Sequence, residues 1–204
     1  NGGNCWWSNR GDEISTTLTK EFDLSDLEKA SLSIKLWYEI ESDWDYGYVQ
    51  ASADGGLTWD VLNGGLSTKD NPHGNAYGPG YSGLSEGWKD DIFDLTPYAV
   101  RKMLLRFHYI TDDAVNGSGL CLDLISIPEL GFLDDGSANM GWVPDGFYLT
   151  NNRVSQEYSI NVVESKDGLR TVTTLELDAD NRTKTTVSNA QELDELIIII
   201  GSLS

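Results

Sequence analysis

Apolar and polar residues alternate along several segments of this chain, and that period of two is typical of half-buried β-strands. Leu32, Ile34 and Leu36 alternate with polar residues up to Trp37-Tyr38. The run from Lys102 to Ile110 alternates in the same way. One face of each strand should therefore lie in a core and the other in solvent. Dense turn dipeptides such as Asp54-Gly55 separate the segments, which indicates an all-β fold.

The pattern predicts two consecutive units, at 1–130 and 131–204, joined by a linker over 128–140. The predicted strands of the first unit are 14–22, 32–40, 46–53, 57–62, 88–95, 101–110 and 119–127. Those of the second unit are 146–150, 155–164, 169–178, 182–187 and 194–201. A loop rich in Gly, Asn, Pro and Ser fills 63–87, and a loop of that length in a compact domain is usually functional or mobile.

Residues 52–59, SADGGLTW, fit the pattern S-x-D-x-G-x-T-W, which is known as an Asp box. Asp54 is expected to accept backbone N–H bonds across the turn, a glycine supplies positive φ, and Trp59 covers the hairpin. The motif builds a hairpin and performs no chemistry.

Charge and composition narrow the function classes. The net charge is −19, from 33 acidic and 14 basic residues among 204, and a field of that sign repels nucleic acid and anionic membranes. No apolar stretch reaches the length of about 18 residues that a membrane span needs. The start Asn1-Gly2-Gly3 is read as an excised piece of a longer protein.

Catalytic motifs are missing from the sequence. The two histidines, His73 and His108, do not form H-E-x-x-H, so no zinc protease site is expected here. G-x-S-x-G is absent as well. With 33 carboxylates, a pair at glycosidase spacing would arise by chance and carries no weight. The sequence predicts a chain that is not an enzyme and holds no zinc.

Four segments occur in an order that resembles the non-catalytic region of secreted metalloproteases of the immune inhibitor A family: 5–25, 37–59, 87–99 and 104–127. The resemblance is weaker after 130, where GWVPDGFYLTNNRVSQEYSI carries it. It implies a MAM-like jelly-roll β-sandwich at 1–130, followed at 131–204 by a smaller immunoglobulin-like β-sandwich, which would be incomplete if residues beyond Ser204 supply one of its strands.

The same resemblance implies a function. These would be accessory domains of a secreted, extracellular zinc metallopeptidase, which stabilise the protease domain of the same chain or help it engage a substrate or surface. The alternative is a carbohydrate- or surface-binding module of another secreted hydrolase or adhesin, with a glycan or a cell-surface protein as partner.

Structural calcium is the cofactor that the acidic residues suggest, because Ca²⁺ takes six to eight hard oxygen ligands. In the usual jelly-roll order, 32–40 lies antiparallel to 119–127, so the loops 41–46 and 111–118 would meet at one end of the sandwich and bring Asp43 and Asp45 close to Asp112 and Asp113. By resemblance to MAM and carbohydrate-binding jelly rolls, Asp12 and Asp123 form a second candidate pair. Capping and turn formation by these aspartates is an equally good reading.

The remaining candidates are aromatic residues and cysteines. Trp44, Tyr77 and Tyr81 lie in predicted loops, where exposed rings could bind a sugar. Cys5 and Cys121 usually correspond to apolar positions in the resembling family, and in a jelly roll they should be neighbours. A disulfide between them and two buried thiols both fit the sequence.

Overall fold

The computed structural model describes residues 3–151, 158–178 and 181–202. Its strands, in chain order, are β1 (Cys5–Trp7), β2 (Ser15–Asp23), β3 (Ser31–Glu39), β4 (Tyr46–Ser52), β5 (Asp60–Val61), β6 (Lys89–Asp94), β7 (Lys102–Ile110), β8 (Gly119–Ile127), β9 (Phe132–Asp134), β10 (Val143–Asp145), β11 (Tyr148–Thr150), β12 (Tyr158–Lys166), β13 (Leu169–Leu175) and β14 (Glu195–Ser202). Short 3-10 helices occupy Thr96–Tyr98, Pro128–Leu130 and Ala190–Glu192. The chain is therefore all-β, as predicted.

Two antiparallel sheets build the first unit, which covers residues 1–152. One sheet has the order β11-β1-β8-β3-β6, with β9 also paired to β8, and the other has the order β10-β2-β7-β4-β5. The predicted antiparallel pairing of the segments 32–40 and 119–127 is confirmed by the register of β3 and β8.

The alternation in the sequence explains the core between the two sheets. Leu32, Ile34 and Leu36 of β3 are fully buried, and so are Leu105 and Phe107 of β7, while their sequence neighbours face outward. Side chains from both sheets form one hydrophobic cluster, as in a β-sandwich.

The strand β4 differs because every one of its residues is buried. The long loop 63–87 covers its outer side: Tyr81 N–H donates to Gly47 O at 2.8 Å, and Tyr77 N–H donates to Tyr48 Oη at 3.1 Å. A side chain at Gly80 would not fit, since its Cβ would lie 2.8 Å from the Tyr48 ring.

Asp91 of β6 anchors the start of the same loop. Its buried carboxylate accepts hydrogen bonds from Gly65 N–H, Leu66 N–H and the Tyr81 hydroxyl, at 2.7, 3.2 and 2.7 Å. The loop is thus tied to the sandwich at both of its ends.

The Asp box forms the predicted turn. Asp54 accepts from Thr58 N–H at 3.0 Å and from the Thr58 hydroxyl at 2.6 Å, and these bonds lower the pKa of the Asp54 carboxyl. Gly55 and Gly56 have φ of 76° and 92°. The Trp59 indole donates to Gly56 O at 3.1 Å.

The predicted boundary at residue 130 requires correction. The strands β9, β10 and β11, at 132–150, pair with β8, β2 and β1 of the first unit. The compact units divide between Asn152 and Arg153 instead. The segment 128–140 is not a linker, because it contains a 3-10 helix and β9.

The second unit, at 153–204, contains one antiparallel sheet with the order β13-β12-β14 among its described residues. The predicted strand 155–164 begins outside the described residues, and the structure places β12 at Tyr158–Lys166. The predicted strand 182–187 is not formed. Its residues, RTKTTV, include a single apolar side chain, so a strand there would have no apolar face to bury.

Candidate metal centre

Three loops meet at one end of the first unit. Because β4 pairs with β7 and β3 with β8, the β3–β4 loop and the β7–β8 loop lie side by side. The segment between β1 and β2 joins them, since Glu13 N–H donates to Asp112 O at 2.6 Å. All three loops carry acidic residues.

Glu41, Asp45 and Asp112 form an acidic cluster, and each offers a carboxylate oxygen within 4.8 Å of the others. Asp45 is completely buried, while Glu41 and Asp112 are partly exposed. No ion pair among the described residues involves a carboxylate of this cluster. Repulsion between the charges is therefore not offset by a basic side chain.

The Asp45 carboxylate is only half satisfied. Its Oδ1 accepts the Asp112 N–H at 3.0 Å, whereas its buried Oδ2 has no hydrogen-bond partner among the described residues. An ionised oxygen buried without a partner costs several kcal/mol, so it needs a proton or a cation.

Burial raises the pKa of Asp45 to about 6, and the charges of Asp112, Glu41 and Asp12 act in the same direction. The Asp112 N–H bond opposes the shift but does not cancel it. Burial also raises the pKa of Glu41, with a further contribution from Asp112. At neutral pH the cluster thus holds negative charge in an environment that disfavours it.

A second buried oxygen belongs to the same region. The Tyr109 hydroxyl has no hydrogen-bond partner among the described residues, and burial together with the charge of Asp45 raises its pKa. Oxygen ligands of this kind suit a hard cation such as Ca²⁺ better than Zn²⁺, which favours nitrogen and sulfur.

The structure brings some predicted ligands together and separates others. Asp45 and Asp112 meet, as the loop argument expects. Asp43 sits in a turn with φ of 69°, where its N–H donates to Ser82 Oγ, and its carboxylate is not part of the cluster. Asp113 is exposed and also lies outside the cluster.

Asp12 and Asp123, the second predicted pair, have different surroundings. Asp12 accepts a hydrogen bond from the Asn116 side chain at 2.6 Å, and its charge acts on Asp45. Asp123 lies within β8, opposite Lys35 of β3. Asp12 therefore lies at the end of the first unit that carries the cluster of Glu41, Asp45 and Asp112, which we call the acidic end. Asp123 lies on the face of a sheet.

Sequence reasoning missed Glu41 as a ligand. It lies in the acidic loop after β3, two residues beyond the end of the strand. Its membership of the same loop as Asp45 is the signal that could have found it.

Of the three aromatic residues predicted as ligand-binding candidates, two are exposed and one is buried. Tyr77 is 70% exposed and Trp44 is 41% exposed, as expected for loop residues. Trp44 stacks on His73, with ring centroids 3.8 Å apart. Tyr81 is 1% exposed because its hydroxyl reaches the buried Asp91, so it is not an exposed ligand-binding residue.

Cys5 and Cys121 lie on the neighbouring strands β1 and β8, with Cα atoms 5.7 Å apart, and they are joined as a disulfide. The bridge ties the beginning of the chain to the last long strand of the first unit. No helix in the part of the chain that the structure describes has the length and apolar character that crossing a bilayer requires.

These features define an antiparallel β-sandwich unit with a candidate site for a hard cation at one end. A model of the family described as "Immune inhibitor A-like, MAM domain" matches residues 1–152, about three quarters of the chain. The chain therefore belongs to this family, as the resemblance of its motifs predicted.

Comparison with curated proteins agrees with this family assignment. The chain is 32% identical over 118 residues to the pre-pro-metalloprotease PrtV of Vibrio cholerae serotype O1, a match that covers 58% of this chain and 12% of that protein. It is 31% identical over 161 residues to immune inhibitor A of Bacillus thuringiensis, covering 77% of this chain and 22% of that protein. Bacillopeptidase F of Bacillus subtilis is 26% identical over 98 residues, covering 48% and 6%. The chain thus spans less than a quarter of the length of these relatives.

Proposed function

We propose that this chain is a non-catalytic accessory region of a secreted metalloprotease, and that calcium bound by Glu41, Asp45 and Asp112 stabilises its first unit. Membership of the Immune inhibitor A-like MAM family and the metalloprotease names of two relatives support the context. The buried, unpartnered Asp45 Oδ2 is the observation that supports the cation site.

In this proposal the first unit is a MAM-like jelly roll and the second an immunoglobulin-like sandwich. The protease domain of the same parent chain is their partner. The two antiparallel sheets and the pairing of β3 with β8 support the jelly roll. The sheet of β12, β13 and β14 supports a β-domain for the second unit.

Calcium would change the charge balance at the acidic end. A divalent cation between the three carboxylates would supply the missing partner of Asp45 and offset the mutual repulsion. The role is structural, since Asp45 is completely buried and its carboxylate does not face an open substrate site.

Calcium binding is tested on metal-stripped protein by isothermal titration with CaCl₂. Binding by the unchanged chain, lost in Asp45→Ala and retained in Asp113→Asn, is the expected result. Asp113 is the matched control, because it is exposed, lies next to Asp112 and is not in the cluster. Equal binding by Asp45→Ala would refute the site.

The non-catalytic role is tested separately with the purified chain and casein. No cleavage is expected, with or without Zn²⁺. Cleavage that needs Zn²⁺, stops with a chelator and co-purifies with the chain would refute the accessory role, whatever the result with calcium.

A further inference from the structure

The seven tryptophans of the first unit divide into two groups. Four have a clear structural role. Trp6 and Trp142 are in the core and donate their indole N–H groups to Asp134 Oδ2, Trp59 covers the Asp box, and Trp44 stacks on His73. The other three, Trp7, Trp37 and Trp88, line one open cavity of about 820 Å³.

The strand register determines where the tryptophans of this cavity lie. Trp7 of β1 and Trp37 of β3 both pair with Cys121 of β8, from its two sides. Since neighbouring strands are about 4.8 Å apart, their backbones are separated by about 10 Å. The register places Trp7 and Trp37 on the same face of the sheet, on either side of Cys121. Trp88 is 45% exposed and precedes β6, the next strand beyond β3.

Two bonds fix Trp7, at one end of the row formed by Trp7, Trp37 and Trp88, before any ligand arrives. The Trp7 indole N–H donates to Ser118 O at 2.8 Å. The Cys5–Cys121 disulfide joins β1 to β8 directly below it. A rigid aromatic surface binds with little loss of side-chain entropy.

A charged row lies next to the aromatic row. Lys35 of β3 pairs in register with Asp123 of β8, and Arg10 lines the same cavity. Lys35 is already ion-paired with Asp90 at 3.3 Å, whereas no ion pair among the described residues involves Arg10. Arg10 is thus the basic group of the cavity wall that can bind a negatively charged ligand.

We propose that this cavity, the tryptophan groove, binds an oligosaccharide that carries carboxylate groups. The apolar faces of pyranose rings would stack on Trp7, Trp37 and Trp88, because indole is flat, apolar and has a polar edge. Arg10 would bind the sugar carboxylate with paired N–H donors, and Asp123 would accept hydrogen bonds from hydroxyls.

Other ligand classes fit this groove less well. An apolar ligand would bury the Arg10 guanidinium, which has no ion-pair partner among the described residues. A peptide cannot add as a strand, because β1, β8 and β3 are each already paired on both sides. The proposal goes beyond the accessory role and uses none of the calcium residues.

Tryptophan fluorescence provides the assay, since all the tryptophans of the chain lie in the first unit and three line the groove. The full chain is titrated with a hyaluronan tetrasaccharide, which alternates glucuronate with N-acetylglucosamine, and with an uncharged chitin tetrasaccharide. Saturable binding of the hyaluronan fragment with a Kd below about 1 mM is expected, with binding of the chitin fragment at least about tenfold weaker.

Variants locate the site. Trp37→Ala and Trp88→Ala should each raise the Kd at least about tenfold, and Arg10→Gln should remove the preference for the charged sugar. Trp44→Ala is the matched control, an exposed tryptophan outside the groove, and should leave the Kd unchanged. Unchanged near-ultraviolet circular dichroism verifies that each variant is folded.

Three results would overturn the proposal. Failure of both sugars to bind at 10 mM would exclude a saccharide site of useful affinity (about 10 mM marks the weak limit on the affinity scale). Equal binding of both sugars would refute the acidic ligand. Loss of binding in Trp44→Ala, with normal binding in Trp37→Ala, would place the site elsewhere. None of these results bears on calcium or on the absence of proteolysis.

Discussion

Asp45→Asn should make the metal-free protein more stable and at the same time abolish its response to calcium. Asp45 is fully buried, and its pKa is raised from 3.8 to about 6. A difference of about two pKa units corresponds to about 3 kcal/mol of unfavourable free energy for the ionised form at neutral pH. Asparagine removes the charge and retains an oxygen that can accept the Asp112 N–H.

The expected shift is measurable. Recovery of even half of that free energy would raise the melting midpoint of a unit of about 150 residues by about 3–6 °C. The amide NH₂ of the new side chain needs its own partners, so the full 3 kcal/mol is an upper bound. In the unchanged protein, calcium at a hundred times its Kd would add about 2.7 kcal/mol, and in the variant it should add nothing.

The pH dependence has a definite sign. Because the folded pKa of Asp45 lies above its unfolded value, protonated Asp45 contributes stability that is complete below about pH 4. This contribution is lost as the pH rises through about 6. Relative to Asp45→Asn, the metal-free protein should therefore lose stability between about pH 4 and 6, and calcium should restore it above pH 6.

The assay is thermal unfolding followed by tryptophan fluorescence, in a chelator or in millimolar calcium, from pH 4 to 8. All seven tryptophans lie at or before Trp142, so the signal reports the first unit alone. Asp113→Asn serves as the control and should match the unchanged protein in both conditions. Two results would refute the reasoning. One is an Asp45→Asn protein that is less stable than the unchanged protein in chelator at pH 7. The other is a rise in melting midpoint on adding calcium that is as large in Asp45→Asn as in the unchanged protein.

Three further predictions concern the rest of the first unit. Burial lowers the pKa of His108 to about 4. The unchanged protein should therefore lose stability relative to His108→Gln as the pH drops from about 6.5 to 4. A stability difference that does not change with pH would contradict this. Replacing Cys5 and Cys121 by serine opens a crosslink between residues 116 apart, which should cost about 4–5 kcal/mol in the chain-entropy model; an unchanged denaturant midpoint would argue against the bridge. Asp91→Ala should cost at least about 3 kcal/mol, because several buried donors lose their acceptor, and should expose the loop 63–87 to proteolysis; equal resistance would show that the loop is held by other contacts.

The long strands could be predicted from the sequence because each buries one face against a single core. The predicted segments 32–40, 101–110 and 119–127 differ from β3, β7 and β8 by at most one residue at either end. The strands β1, β9 and β10 have three residues each, too few for a period of two to be recognised. The boundary was placed at 130 instead of 152 because β9 and β10 were missed, and because the predicted strand at 146–150, which contains β11, was assigned to the second unit.

The acidic end was predictable in part for a related reason. Antiparallel neighbours bring their connecting loops to one end, so the meeting of Asp45 with Asp112 follows from strand order. Which carboxylate turns inward depends on loop conformation. Asp43 adopts a left-handed φ and Asp113 faces solvent, whereas Glu41 joins the cluster. Composition and spacing carry no information on these backbone choices.

The acidic end is held in place by bonds that do not involve the three clustered carboxylates. The Thr111 hydroxyl donates to Gly11 O at 2.8 Å and accepts from Ile14 N–H at 2.9 Å, which fixes the segment before β2.

Ser82 Oγ similarly donates to Glu41 O at 3.1 Å and accepts from Asp43 N–H at 2.8 Å, which fixes the β3–β4 loop. A site whose loops are already positioned does not need a cation in order to fold, unlike a small domain organised around its metal. Calcium should therefore act as a stabilising ligand of a preformed site. The melting midpoint should rise with the logarithm of the calcium concentration above Kd, while the metal-free chain keeps the same strands.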